Sequence, residues 1–369
     1  MRIVYFTQSL RSCWNHGNAH FVRGVLSELI ARGHDVRAFE PDAAWSLANL
    51  LEDHGEAGLA AFGKAYPELS SRTYARPEEG AAHAWGADLV IVHEWNDPEL
   101  VAAVGRLRAR GGRFTLLFHD THHRAVSAPD DLRAFDLGAY DGILAFGSTL
   151  ARVYQRLGWG ERAFVWHEAA DTRRFRPPAT EGARDGIVWI GNWGDGERSD
   201  EIVDYLLKPA RDAGLALDIY GVRYPQEARR KLSEFGARYH GWLANAAVPE
   251  RFARHLATVH VPRKFYAHVL PGIPTIRMFE ALACGIPLVS APWDDCEYLF
   301  RSDQDFLMVR NGAEMTTALR DLAADSDLRA ALSRYGLETI TNRHTCAHRV
   351  DELMSIVERL RAPVLESAA

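Results

Sequence analysis

Thr275, Ile276, Arg277 and Glu280 follow Pro271, Gly272 and Pro274 in the run PGIPTIRMFEALACGIPLVSAPW, residues 271–293. The prolines and glycine forbid regular structure, Thr275 is placed to cap a short helix, and Gly285 supplies its stop. A proline-glycine loop that opens a buried helix is an anion site, because first-turn N–H groups lack partners and the helix dipole favours negative charge. One turn further in, Glu280 among apolar neighbours suits a diol such as ribose. The same spacing also fits an ordinary i,i+3 ion pair with Arg277.

Other groupings carry similar chemistry. In the loop GNWGDGER (191–198) the glycines let the backbone come close to a ligand, Asn192 sits among them, and Arg198 is a bidentate donor for phosphate. Arg263 and Lys264 are adjacent cations at a strand end, where either is placed to neutralise a leaving diphosphate, although exposed basic residues are common. His93 and Glu94 follow DLVIV, and His119 and Asp120 follow FTLLF. Ligands of open α/β sheets bind outside the carboxyl ends of the strands, which singles out both clusters. If the chemistry needs a protein base, His119 and Asp120 are the residues expected to supply it; a polar loop without chemistry is the alternative. His119, His122 and His123 lack the i,i+4 spacing of helical metal ligands, and no H-E-x-x-H is present, so no metal is expected.

These groups need elements to hold them. Arg2–Phe6 reads as a strand, residues 18–32 as an amphipathic helix and Asp35–Phe39 as a strand, a β-loop-α-β unit of the doubly wound type. There is no G-x-G-x-x-G, hence no sign of a dinucleotide cofactor. A helix over 45–62, a charged connection over 70–80, and strands over 88–93, 114–118, 141–146 and 162–166 complete a first half, with Ser148 as a helix cap. A polar linker runs from Pro177 to Asp185. The second half repeats the alternation, with strands over 186–190, 215–220, 238–240, 259–261, 286–290, 296–300 and 306–309. Helices over 313–323, 327–340 and 346–361 close the chain.

The 369 residues suit two domains of ordinary size. A net charge of −6 argues against nucleic acid as a partner. Four cysteines without a C-x-x-C suit a reducing cytoplasm. No apolar run is long enough to span a bilayer, which leaves peripheral membrane contact and oligomeric state open.

FEALACGIPLVSAPW resembles the donor-nucleotide motif of GT-B glycosyltransferases, and the variant P-x-R-x-F-E-A-L-A-C-G most resembles the spore-maturation-protein (CgeB-like) branch near glycosyltransferase family 4. The large retaining group there carries a further glutamate at the position of Gly272. The sequence departs from it. GNAHFVRGVLSELIARGHDV resembles the first glycine-loop helix of such enzymes, which puts His16, Gly17 and His20 on the acceptor side with His93 and Glu94. YHGWLANAAVPERFARH resembles the stretch that lines the nucleotide base, which puts Trp242 there; as a residue, it reads equally as core.

The resemblance implies an α/β, GT-B architecture of two Rossmann-like domains facing a cleft, over 1–182 and 183–345, followed by a C-terminal helix and tail over 346–369 whose helix packs back on the first domain. It implies metal-independent transfer of a hexosyl group from a nucleotide-diphosphate-sugar, a co-substrate rather than a cofactor, to a hydroxyl acceptor. A GT-B nucleotide-sugar epimerase and a non-catalytic carbohydrate-binding relative are the alternatives, the latter on the strength of Gly272.

Overall fold

The structure, a computed structural model, describes residues 1–179 and 182–362. Part of the expected linker and the end of the C-terminal tail lie outside the described residues. Near-continuous apolar runs such as IVYF and LVIV are what parallel strands covered on both faces require. The chain forms two sheets of them. The first contains β1 (Arg2–Phe6), β2 (Asp35–Pro41), β3 (Ser71–Tyr74), β4 (Leu89–His93), β5 (Thr115–Asp120), β6 (Gly142–Ala145) and β7 (Ala163–Val165) in the order β3-β2-β1-β4-β5-β6-β7. The second contains β8 (Ile187–Ile190), β9 (Leu217–Tyr220), β10 (Arg238–Tyr239), β11 (Ala257–His260), β12 (Leu288–Ser290) and β13 (Leu307–Met308) in the order β10-β9-β8-β11-β12-β13. Every pairing is parallel. The strand order reverses at β1/β4 and at β8/β11, and such switch points open a crevice at the carboxyl ends.

Several expected elements differ. The connection over 70–80 holds a short edge strand, β3, and a helix over Pro77–Ala82 with proline in its first turn. β5 runs on through His119 and Asp120, so both lie within the sheet. Residues 296–300 form no strand; the Asp295 carboxylate instead accepts from the N–H groups of Leu299 and Phe300, at 3.0 and 2.9 Å. Ser148 is the first helical residue rather than a cap, and its N–H donates to Glu297 at 2.7 Å. Thr275 holds the cap position of the Ile276–Ala283 helix without a side-chain bond.

One apolar core joins the halves. Phe21, Trp166 and Phe175 from the first side pack in one cluster with Ile276, Phe279, Val350 and Leu353. The Cys346–Arg361 helix lies back on the first sheet's layer, where Trp166 donates to the Arg349 carbonyl at 2.8 Å and Arg361 to Thr115 at 3.0 Å. Gly24 permits this approach. A Cβ there would stand 2.5 Å from Cys346 Sγ and 2.8 Å from the Cβ of Asp171. Gly24→Ala would gain about 1 kcal/mol of helix propensity, but overpacking a closed contact costs typically 1–3 kcal/mol. We expect a net loss of stability, read as a lower denaturation midpoint; a higher midpoint would mean that the crossing relaxes freely.

Candidate functional site

The carboxyl ends of both sheets face a single cavity of about 560 Å³, within the roughly 300–1,000 Å³ of ligand clefts. Its second-sheet wall is cationic. Arg198, entering from the loop after β8, donates to the Val261 carbonyl at 2.9 Å and to Asn192 Oδ1 at 3.0 Å. Arg263, after β11, reaches the same Asn192 oxygen at 3.3 Å and pairs with Glu197 at 2.8 Å. Arg277 completes the set beside Thr275 and Ile276. Burial, with Arg263 close by, pulls the Arg198 guanidinium down to about 9. Its charge is under-compensated, and an anion in the cavity would relieve it. The first-turn N–H groups of Ile276 and Arg277 add positive potential from the helix end.

Further along this wall lie Tyr220, Gly221, Val222, Trp242 and Leu243. The Trp242 ring packs on His54 of the first half with centroids 4.6 Å apart, and its buried indole N–H has no partner among the described residues. The opposite wall carries His16, Gly17, Asn18, Trp45, Trp95, His122, His123 and Glu168. Gly17 sits against the Ile276–Ala283 helix, since a Cβ there would meet Ile276 Cγ2 at 3.3 Å.

Of the residues expected from sequence, the structure brings His16, Gly17, Asn192, Arg198, Trp242, Thr275, Ile276 and Arg277 together on this cavity. It places the others elsewhere. Lys264 is exposed and its neighbour Arg263 takes the wall position. Glu280 is completely buried behind Arg277, with its carboxylate accepting from Asn245 at 2.7 Å and paired with Arg277. His20 is buried below it; its Nε2 accepts from the Asp171 N–H at 2.9 Å, so Nδ1 carries the proton and points at Glu280 from 3.4 Å.

The two residues expected as base are also inside the sheet rather than on the wall. His119 is fully buried, bonds Tyr5 at 2.7 Å, and burial drives its imidazole down to about 3. Asp120 accepts from Tyr154 at 2.7 Å and from the His122 N–H at 2.9 Å, and burial raises it to about 6. His93 is buried against Thr121 at 3.0 Å, and Glu94 is ion-paired with Arg124. Burial holds the His93 imidazole low and lifts the Glu94 carboxyl. Of the two adjacent cations read from sequence Arg263 is the one on the wall, and the wall residues that sequence reasoning missed are Asn18, Glu168 and the tryptophans Trp45 and Trp95. Among the described residues no group of three or more His, Cys, Asp or Glu is placed to hold a metal ion, and no helix is long and apolar enough to cross a membrane.

Solved structures share this architecture over its whole extent. T4 phage BGT, in complex with its UDP-glucose substrate, superposes with a TM-score of 0.59 over 97% of this chain and 100% of its own, at 12% identity. The fold is GT-B. An alpha-glucosyltransferase in complex with UDP gives a TM-score of 0.66 at 12% identity, covering 97% of this chain and 100% of its own. Anabaena HepE, in complex with UDP and glucose, gives 0.65 at 13% identity, covering 97% and 99%. Residues 198–355, most of the second GT-B half, match the family described as glycosyl transferase-like. No curated protein matches the chain in sequence.

Proposed function

We propose that the protein is a hexosyltransferase, moving a hexosyl group from a nucleotide-diphosphate-sugar to a hydroxyl acceptor without a metal. The observation that carries this reading is the convergence of Arg198, Arg263 and Arg277 with one helix N-terminus on a single cavity at the β8/β11 switch point. Leaving-group charge grows on the diphosphate as the glycosidic bond breaks, and fixed donors aimed there lower the barrier. The base lies beyond them, against Trp242 and Leu243, and the acceptor enters from the wall of Trp45 and Trp95. The GT-B neighbours bound to UDP or UDP-glucose, and the family match of the second half, support the same reading. In this arrangement Glu280 is a positioning residue that holds Arg277 and Asn245 at the cavity rim.

Calorimetric titration with UDP, GDP, TDP and their sugars tests the proposal. One nucleotide series is expected to bind, and Trp242→Ala to weaken that binding by about 1–3 kcal/mol, the usual worth of stacking a base on an aromatic ring. The nucleoside alone should lose as much. Failure of every nucleotide to bind at millimolar concentration would end the transferase reading.

A further inference from the structure

The segment that leaves β7 carries an acid of its own. Trp166 N–H donates to the Ala145 carbonyl at 2.7 Å, and Ala170 is held between His344 and Cys346 at 2.9 and 3.0 Å, so the backbone between them is fixed at both ends. Glu168 lies in that span. Its side chain stands on the cavity wall at 7% exposure, and Oε1 accepts from Asn18 Nδ2 at 3.0 Å. The other acids on the wall are occupied. Asp195 faces Arg223 at 3.4 Å, and Glu197 is paired with Arg263 at 2.8 Å with His123 at 3.5 Å. Glu168 makes no ion pair among the described residues, leaving a carboxyl oxygen free towards the cavity that also holds the three guanidiniums.

Resting on the transferase reading above, we propose that Glu168 is the general base that takes the proton of the acceptor hydroxyl, so that transfer inverts the anomeric centre. In the step, the acceptor O–H proton passes to the Glu168 carboxylate as the new oxygen–C1 bond forms. The C1–O bond to the diphosphate breaks, and its electron pair leaves on the nucleoside diphosphate, opposite the arginine wall. The net exchange is sugar for proton, with no oxidant or further reactant.

Burial, with the Glu280 charge nearby, raises Glu168 to about 7, against the opposing pull of Asn18 and Arg277. A base is most effective when its pKa lies near the working pH. The wall imidazoles compare poorly: burial lowers His16 to about 4 and His122 to about 2, and lowers His123 as well. The charged or titratable groups that face Glu168 are Arg277 and Glu280 from the donor helix, Tyr266 after β11, and Arg349 from the C-terminal helix, which donates to the Glu168 carbonyl at 3.4 Å.

The test follows nucleoside diphosphate release by the full chain from whichever nucleotide-sugar it binds, with water or a glycan extract as acceptor. The wild type should show kcat/KM rising with pH through about 7, as the carboxyl ionises. Glu168→Gln keeps the shape and the Asn18 contact. It should lose that rise and slow release by roughly 10²–10⁴-fold, with nucleoside diphosphate affinity unchanged within about threefold and the melting midpoint preserved. The first sugar product should carry the inverted anomer by proton NMR. A retained anomer, or a pH limb that survives in Glu168→Gln, overturns the assignment while leaving a transferase in place. No nucleotide binding, or binding without any release, overturns the transferase reading and the base with it.

Discussion

Arg198→Ala is expected to lower the turnover of the nucleotide-sugar by roughly 10²–10³-fold, the usual cost of removing one donor aimed at developing charge. The guanidinium is held by Val261 and Asn192 and shares the Asn192 oxygen with Arg263. Two cations on one acceptor repel, and burial worsens this by removing water. On the proposed reading a diphosphate would supply the missing negative charge, so the ground-state complex should also weaken, by about 1.5–3 kcal/mol for a lost charged hydrogen bond. The discriminating measurement is a pair of titrations. If Arg198 meets the diphosphate, the loss appears with the nucleoside diphosphate and is nearly absent with the nucleoside. An equal loss with both would mean that Arg198 serves only to hold the loop after β8 against β11. Arg198→Lys should recover little, because an ammonium cannot reproduce the planar fork.

The alternation of strand and helix was readable because parallel strands buried on both faces are unbroken apolar runs, and because Gly33, Gly112 and Gly285 end the segments before them. β3 was hidden for the opposite physical reason. Ser71–Tyr74 is a short sheet edge with two exposed residues, and it carries no apolar run. The far end of β5 was hidden by its polarity. His119 and Asp120 look like loop residues until Tyr5 and Tyr154 are seen to satisfy them. Those partners are distant in sequence, and no local pattern announces them.

The same limit shaped the site. A glycine loop, a proline-glycine helix entry and Arg198 announce an anion site locally, and they reach the cavity through Gly191, Pro274, Thr275 and Arg198. Which of two adjacent cations faces inward is decided by where the Lys264–His268 helix begins: Arg263 precedes it at the cap position, and Lys264 turns out to solvent. The Arg277–Glu280 pair has the ordinary i,i+3 geometry. Glu168 did have a signal. It follows the last strand of the first sheet, at the carboxyl end, and the rule that singled out His93 and His119 applies to it as well.

Replacing Gly272 by glutamate, to supply the acid present in the large retaining group, is expected to damage the protein rather than to improve it. Gly272 has φ +83°, and its N–H donates to the Asp294 carbonyl at 2.6 Å. A Cβ there would stand 2.9 Å from Cys296 Sγ and 3.0 Å from Glu297 Oε1. Glu297 has little freedom to yield, because one oxygen accepts from the Ser148 N–H at 2.7 Å and the other meets His167 at 3.1 Å. These contacts join the loop around Gly272 to the first half, so moving Glu297 is expected to loosen the cavity as well. Left-handed backbone at a non-glycine residue costs about 1–3 kcal/mol, and crowding adds about 1–3 kcal/mol. The two together predict a melting midpoint lower by several degrees. Gly272→Ala should carry most of this loss, since backbone strain and the Cβ contact cause it; Gly272→Glu should add the repulsion of two neighbouring carboxylates, stronger at neutral than at acid pH. Turnover should fall in both. An unchanged midpoint with faster turnover in Gly272→Glu would show instead that the loop accepts the side chain. The glycine would then be a lost catalytic acid, and not the residue that lets Glu297 tie the two halves together.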